Sequence, residues 1–392
     1  MKRLILINLI CILSLFCLFQ QAYCLPWPPD IDVYYIKFNY QSGQSSDALK
    51  IKNISAPEWA NGGSTNKKIA YIKNQSSRKI KAKFWIDRSS IDWICVYADK
   101  ISGTGIGDVP DWQIDFNGSQ YSQEEQITCS GSVPGSVGKR NFTWRWYAFA
   151  IDDYELEEEI HIGDTSHEYY TLLAAPQSPM TEPWKEVLDY ACDWAEYMSS
   201  SSSAMIKVVQ HIYDDLGFEY DTIDGSSRYT DKTDGSFGLT SMLSEIPGSD
   251  IIVNCYDCGK AVKIFANALG CGASYNVSQP FGYLNCIKPI GKGWANNPFY
   301  SSQSSPYDQP IVGEDDAGRT YFGNHAFACF GYGIWDATLR VDTDSNPDAP
   351  PHSSTNGSWV LGWSWSTYKS KVVDDVPESS PASPTTYSFS VQ

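Results

Sequence analysis

The sequence predicts an α+β protein in which an all-β sandwich domain (residues 25–175) precedes a mixed α+β domain (residues 176–350). In the first part, runs such as KIKAKFWI and FTWRWYAFAI alternate apolar and polar residues, which is the period of a half-buried strand. After the Pro-containing stretch AAPQSPMTEP, the apolar period changes to that of a helix. Residues 351–392 predict C-terminal strands and a Ser/Pro-rich tail, in which DDVPESSPASPTTYSFSVQ is loosely held and TYSFSV is the last strand.

The first 24 residues predict a secretory signal peptide and therefore a secreted, extracellular protein. Lys2 and Arg3 precede an apolar run from Leu4 to Phe19. This run is shorter than the ~20 residues that a membrane-spanning helix needs. No later stretch is apolar enough to cross a bilayer, so we expect no transmembrane segment.

The net charge of the chain limits the classes of molecule that it is expected to bind. The net charge is −17 and no basic cluster stands out, so a nucleic-acid partner is not expected. The acidity fits a protein that must stay soluble outside a cell. Six N-x-S/T sequons would make the chain a glycoprotein in a host with the necessary enzymes.

The N-terminal strands predict an immunoglobulin-like sandwich. The order KFWID, DWICVYA, ITCSGSV and NFTWRWYAFAIDD is typical of such a domain. Cys95 and Cys129 are the only cysteines in this part, so a disulfide between them is predicted. The many Trp and Tyr residues would allow a cell-surface glycan as a partner, although aromatic residues are also ordinary strand formers and core fillers.

The C-terminal half predicts helices followed by short strands. Apolar residues recur at helical spacing from Trp184 to Met198 and from Ala204 to Leu216. A third helix follows Asn254. The stretch HAFACF-GYG-IWDAT then predicts a β-hairpin that turns at the glycines.

The start of the third helix, NCYDC, admits three chemistries. Zinc usually needs a second close pair of ligands, which this chain lacks. A redox pair of Cys255 and Cys258 is the second interpretation, because a strand, C-x-x-C and a helix follow one another here. In the third, Cys255 is a nucleophile: Asn254 is a good N-cap, Asp257 suits the first turn, and the helix start stabilises a thiolate.

A nucleophilic thiolate requires a base and a group that orients it. His325 is the histidine that begins a buried-looking strand in the same domain, and Asp336 lies across the predicted hairpin from it. This is the logic of a nucleophile, base and acid set. The backbone N–H of Cys255 would help to stabilise an oxyanion, and Gln210 is a weak candidate for the side-chain donor.

These residues resemble the transglutaminase-like superfamily, which places a Cys-His-Asp triad on a papain-like core. The motifs N-C-x-D-C-x-x-A-V, H-A-F and D-A-T occur in the family's order within roughly residues 184–345. The resemblance implies that Cys255 is the nucleophile, His325 the base and Asp336 the orienting acid. It implies acyl transfer or hydrolysis at an amide of a protein or peptide substrate, through a thioester and without a required cofactor.

Two rival functions remain open at this point. The chain could be a non-catalytic extracellular binding or adhesion protein that kept the transglutaminase-like fold. It could also be a thiol–disulfide oxidoreductase that uses Cys255 and Cys258. A disulfide between these two cysteines would favour the redox function.

One acidic stretch allows calcium as an additional ligand. Its candidate ligands alternate along the chain: Asp342, Asp344, Asn346 and Asp348. Pro347 replaces the glycine that a calcium loop needs, and no glutamate closes the loop. The stretch therefore predicts either a weak calcium site or a solvated loop.

Overall fold

Within the residues that it describes, the computed structural model contains four β-sheets and five helices. These residues are 28–38, 48–63, 67–152, 154–294, 321–342, 357–375 and 377–392. The predicted signal peptide lies outside them. Within them, no helix is both long and apolar enough to span a bilayer.

The N-terminal part consists of strands in two sheets. The strands are β1 Ile31–Lys37, β2 Trp59–Ala60, β3 Ile69–Ile72, β4 Lys79–Ile86, β5 Trp93–Gly103, β6 Val109–Asp115, β7 Glu125–Thr128, β8 Gly138–Ile151 and β9 Tyr154–Leu172. One sheet has the order β2-β1-β4-β7 and the other β3-β9-β8-β5-β6. Alternate residues of β4, such as Phe84, share one hydrophobic core with Trp144 and Trp146 of β8 in the other sheet.

The predicted Cys95–Cys129 disulfide is absent, because both cysteines are free thiols. Cys95 lies between the fully buried Ile94 and Val96 of β5, so strand alternation turns its side chain away from the core. Cys129 is only 2% exposed and belongs to the core itself. The two sulfurs therefore face different sides of a sheet, and this prediction was wrong.

The C-terminal part combines the helices with an antiparallel sheet and a separate parallel pair of strands. Its elements are α1 Lys185–Trp194, α2 Ser201–Asp215, β10 Phe218–Tyr220, α3 Leu239–Glu245, β11 Ile251–Val253, α4 Cys255–Ala268, β12 Ser274–Ser278, β13 Ile287–Pro289, β14 His325–Phe330, β15 Gly333–Val341, β16 Ser358–Trp363, α5 Trp365–Val372 and β17 Thr385–Tyr387. The antiparallel sheet has the order β13-β15-β14-β12-β17, and β16 also pairs with β15, while β10 and β11 form the parallel pair. The hairpin between β14 and β15 pairs Phe330 with Gly333.

Helix α4 is the centre of this half. The sequence predicts one apolar face, yet every residue from Asp257 to Ala268 is buried, including Lys260 and Lys263. Gly259 explains how closely the helix approaches the sheet, because a Cβ at this position would lie 3.2 Å from backbone atoms of Phe327 on β14. This close packing brings the first turn of α4 to the start of β14.

The described residues 357–375 and 377–392 add two strands and a helix to this half, and the last strand expected at TYSFSV overlaps β17. Strand β16 pairs with β15, and β17 pairs with β12. Helix α5 begins at Ser364, whose hydroxyl accepts from the backbone N–H of Thr367 at 3.2 Å. Tyr368 of this helix is fully buried, so its aromatic side chain anchors the helix although the sequence around it is polar.

The two halves of the chain share a continuous core. Tyr170 and Leu172 of β9 pack in one hydrophobic cluster with Val187 and Leu188 of α1. Asp189 of α1 accepts hydrogen bonds from the hydroxyl of Tyr170 at 2.7 Å and from Lys68 at 2.8 Å. These contacts tie the first strands to the helices that support the site.

Candidate active site

Cys255 is the first residue of α4, and the preceding Asn254 fixes its position. Oδ1 of Asn254 accepts from the backbone N–H groups of Tyr256 at 3.0 Å and Asp257 at 3.2 Å. Its Nδ2 donates to the carbonyl oxygen of Gly225 at 2.8 Å. The Asn254 cap therefore fixes the start of the helix, where unpaired N–H groups and the helix dipole favour a thiolate. Cys255 is 4% exposed.

Asp257 connects this helix start to the loop before α3. Its buried carboxylate accepts from the backbone N–H groups of Arg228 at 2.7 Å, Tyr229 at 3.2 Å and Thr230 at 2.8 Å. Burial raises the pKa of Asp257, although these three donors act to lower it. The carboxylate positions one wall of the site.

His325 and Asp336 form a buried pair across the β14–β15 hairpin. Nε2 of His325 lies 2.9 Å from Oδ2 of Asp336, and the two side chains are almost inaccessible to solvent. The hydroxyl of Tyr368 donates to the same oxygen at 2.7 Å, while Oδ1 accepts from the backbone N–H of Thr338 at 2.7 Å. A carboxylate only accepts, so Nε2 of His325 carries a proton.

The other ring nitrogen of His325, Nδ1, is buried, and Cys255 is near enough to influence the pKa of the ring. Among the described residues, the buried Nδ1 meets no hydrogen-bond partner at normal geometry. Burial acts to lower the pKa of His325, but the charges of Asp336 and then Cys255 outweigh it and raise the pKa to about 10. This environment favours an imidazolium ring beside the sulfur, as in thiol enzymes with a cysteine–histidine pair.

The predicted oxyanion donor, Gln210, does not lie at this site. Gln210 is on α2 and lines a surface depression with Asp214, Arg340 and Trp359, while the cavity lined by the chain neighbours of Cys255 has other walls. The prediction failed because the apparent order of helices in the sequence does not show which face of α2 turns toward α4.

Tyr220 is a buried phenol near Cys255 that the sequence analysis missed. It lies on β10, paired in register with Val253 of β11, two residues before Cys255. Burial raises its pKa well above the ordinary value, and the charge of Cys255 raises it further. The phenol therefore stays protonated beside the sulfur. Only the parallel pairing of β10 with β11 reveals this neighbour, since Tyr220 and Cys255 are far apart in the sequence.

Cys258 does not form a disulfide with Cys255, and both sulfurs are free thiols. Cys258 is fully buried, and burial raises its pKa well above the ordinary value. A buried thiol of this kind is a poor partner for thiol–disulfide exchange, which needs a thiolate that a substrate can reach. The geometry thus gives the redox function no support.

A cavity of about 510 Å³ is lined by Asn254 and Tyr256, the neighbours of Cys255 in the chain. Its walls also include Tyr275 and Val277, which pack in one cluster with Cys255. Its other walls come from the 225–235 loop, from Lys260 and Gln279, and from residues 387–389. The cavity combines aromatic surface with a few polar groups, as small-molecule and peptide sites generally do.

The calcium prediction falls mostly outside the described residues. Asp342 is described and buried at the end of β15, whereas Asp344, Asn346 and Asp348 are not described. In the parts of the chain with a described structure, no three His, Cys, Asp or Glu side chains are grouped so that they could hold a metal ion.

Comparisons with known proteins give little beyond a distant structural similarity. No protein-family model matches the chain, and no curated protein matches it. A solved structure of red sea bream transglutaminase is similar at a TM-score of 0.34 and 10% sequence identity. The similarity covers 74% of this chain and 48% of that transglutaminase, so the chain spans about half its length. Similarity this low carries no argument about function, which must come from the site itself.

Proposed function

We propose that the chain is a thiol acyltransferase or amidase of the transglutaminase type, with Cys255 as nucleophile, His325 as base and Asp336 as the group that orients the base. The observation that supports this most is the orientation of His325. Its Nε2 contacts Asp336 at 2.9 Å, its buried Nδ1 has no hydrogen-bond partner among the described residues, and Cys255 acts on the pKa of the ring. A purely structural histidine in a core would normally satisfy both nitrogens with hydrogen bonds.

In the first half of the reaction, the thiolate of Cys255 attacks the carbonyl carbon of a side-chain or main-chain amide. A carbon–sulfur bond forms, and the carbonyl oxygen takes the negative charge. The backbone N–H of Cys255 and the protonated phenol of Tyr220 are the candidate donors to this oxyanion. The carbon–nitrogen bond then breaks as Nδ1 of His325 gives its proton to the leaving nitrogen, and a thioester remains.

In the second half, an amine or a water molecule attacks the thioester. His325 takes the proton of the attacking group, the second oxyanion collapses, and the Cys255 thiolate leaves. Asp336 keeps the imidazole in one tautomer and stabilises its charged form, because Nε2 must keep its proton while Nδ1 exchanges one.

Amine incorporation tests this proposal. The protein is incubated with a glutamine peptide and a fluorescent primary amine, and labelled peptide and released ammonia are measured for wild type, Cys255→Ala and Cys258→Ala. We expect Cys255→Ala to abolish both products and Cys258→Ala to keep them. Loss in both variants would favour the redox function instead, and product that survives Cys255→Ala would exclude the proposed nucleophile.

We also propose that the protein is secreted after removal of residues 1–24. The supporting observation is the charged and then apolar leader in the sequence. Expression of the full chain in a secreting host, with mass spectrometry of the first peptide in the medium, tests it. Protein retained in the cell with an intact leader would contradict it.

A further inference from the structure

Residues 385–392, here called the cover segment, lie at the edge of the sheet that carries His325. Strand β17 pairs antiparallel with β12, so that Tyr387 faces Tyr275 and Thr385 faces Val277. On its other side β12 pairs with β14, where Ser278 lies opposite His325. The cover segment therefore occupies the open edge of the strand that lies next to the catalytic histidine strand.

The cover segment also lies beside Cys255, the proposed nucleophile. The ring of Phe389 packs against the small apolar cluster that contains Cys255, and its centroid lies 5.6 Å from that of Tyr275. The ammonium groups of Lys263 and Lys260 lie 5.0 and 5.1 Å from the same ring. Because Cys255 is only 4% exposed, a substrate carbonyl needs part of this space to reach the sulfur.

The cover segment is held by its pairing with β12 and by hydrogen bonds from Asn276 to Thr386 and between Gln392 and Thr240, with little buried apolar surface. All three residues of β17 are exposed, and Phe389 and Val391 are its half-buried apolar residues. Backbone hydrogen bonds of 2.9 Å join Phe237 to Ser390 and Gln392. Segments with few buried apolar contacts and exposed backbone bonds open locally at low cost. The cover segment can thus detach while the core around α4 stays folded.

We propose that residues 385–392 occupy the binding site of an extended polypeptide substrate. In this position they cover Cys255 until the substrate displaces them. This inference rests on the proposed acyl-transfer function. An extended peptide adds to an exposed sheet edge through main-chain hydrogen bonds, and pockets for alternate side chains supply selectivity. Here β12 provides the edge, and the space that Phe389 fills would take an aromatic or aliphatic side chain near the reacting amide.

Alkylation of Cys255 tests the cover without requiring turnover. The full-length variants Phe389→Ala and Phe389→Ala/Val391→Ala are treated with iodoacetamide, and mass spectrometry follows labelling of Cys255 with the fully buried Cys258 as internal reference. The exposed Tyr332→Ala on the β14–β15 turn is the matched control. Loss of the ring should raise the labelling rate by at least about tenfold, because it shifts the local opening equilibrium.

A synthetic peptide then tests whether the cover segment occupies the edge of β12. Added TTYSFSVQ, the sequence of residues 385–392, should slow alkylation of Phe389→Ala back toward the wild-type rate, whereas TTYSASVQ should not. An unchanged alkylation rate in both variants, or equal effects of the two peptides, would overturn the inference. Failure of amine incorporation alone would count against the proposed function and leave the alkylation result standing.

Discussion

Tyr368 donates a hydrogen bond of 2.7 Å to Oδ2 of Asp336, the same oxygen that lies 2.9 Å from Nε2 of His325. The tyrosine comes from α5, 32 residues after Asp336. The carboxylate of Asp336 therefore accepts hydrogen bonds from three donors, which are Tyr368, His325 and the backbone N–H of Thr338. These three contacts hold the imidazole ring of His325 in one orientation relative to Cys255.

Tyr368→Phe should lower kcat while KM stays close to the wild-type value, since the hydroxyl orients Asp336 and does not contact the cavity. A hydrogen bond to a charged group contributes about 1.5–3 kcal/mol, so we expect kcat to fall by roughly 10- to 100-fold. Steady-state amine incorporation measures both constants. Tyr332→Phe, with an exposed hydroxyl, is the control, and an unchanged kcat in Tyr368→Phe would contradict the orienting role.

The pH profile should show the raised pKa of His325. Because Asp336 and Cys255 raise this pKa to about 10, the imidazolium that protonates the leaving amine persists until the pH passes that value. We expect single-turnover acylation to fall as the pH rises through about 10. In Asp336→Asn the fall should move to lower pH, because the largest influence that raises the pKa is gone. An identical profile in the two proteins would exclude this assignment.

Gly259→Ala should impair both stability and activity. The added Cβ would lie 3.2 Å from the backbone of Phe327, so α4 must move away from β14 and carry Cys255 with it. Overpacking of this kind costs about 1–3 kcal/mol, partly offset by the roughly 1 kcal/mol that Ala gains over Gly in a helix. Urea unfolding and amine incorporation measure the two effects. Gly323→Ala, where nothing lies within 4 Å of the new atom, should behave as wild type.

Asp189→Asn should weaken the contact between the strands and α1. Lys185, Lys68 and Tyr170 donate to this carboxylate, and although burial opposes them they lower its pKa to about 2. A lowered pKa means that the stabilisation is present above the unfolded value near 3.9 and is lost as the pH falls toward 2. We expect a loss of about 1–3 kcal/mol at neutral pH, measured by urea unfolding.

The more exposed Asp193, which pairs with Lys139, is the matched control for this variant. Asp193→Asn should change the free energy of unfolding by less than about 1 kcal/mol, because exposed ion pairs contribute little. Equal losses in the two variants would show that Asp189 has no special part in joining the two halves of the chain.

Short-range patterns along the chain specify the local parts of the site. Asn254, Asp257 and the apolar residues after them specify a capped helix that begins at Cys255, because capping and helical period act between residues a few positions apart. The hairpin that sets His325 against Asp336 is also local, since its two strands meet across a short turn. These features depend on neighbours along the chain, so the sequence displays them.

The residues that surround those parts are brought there by long-range packing. Tyr220, Tyr368 and Phe389 reach the site through parallel strand pairing, a late helix and an edge strand, and no local pattern distinguishes them from ordinary aromatic core residues. The failed predictions for Gln210 and for the Cys95–Cys129 pair have the same origin. Which face of a helix or strand meets which partner is settled by packing over long sequence separations, where many arrangements share one local pattern.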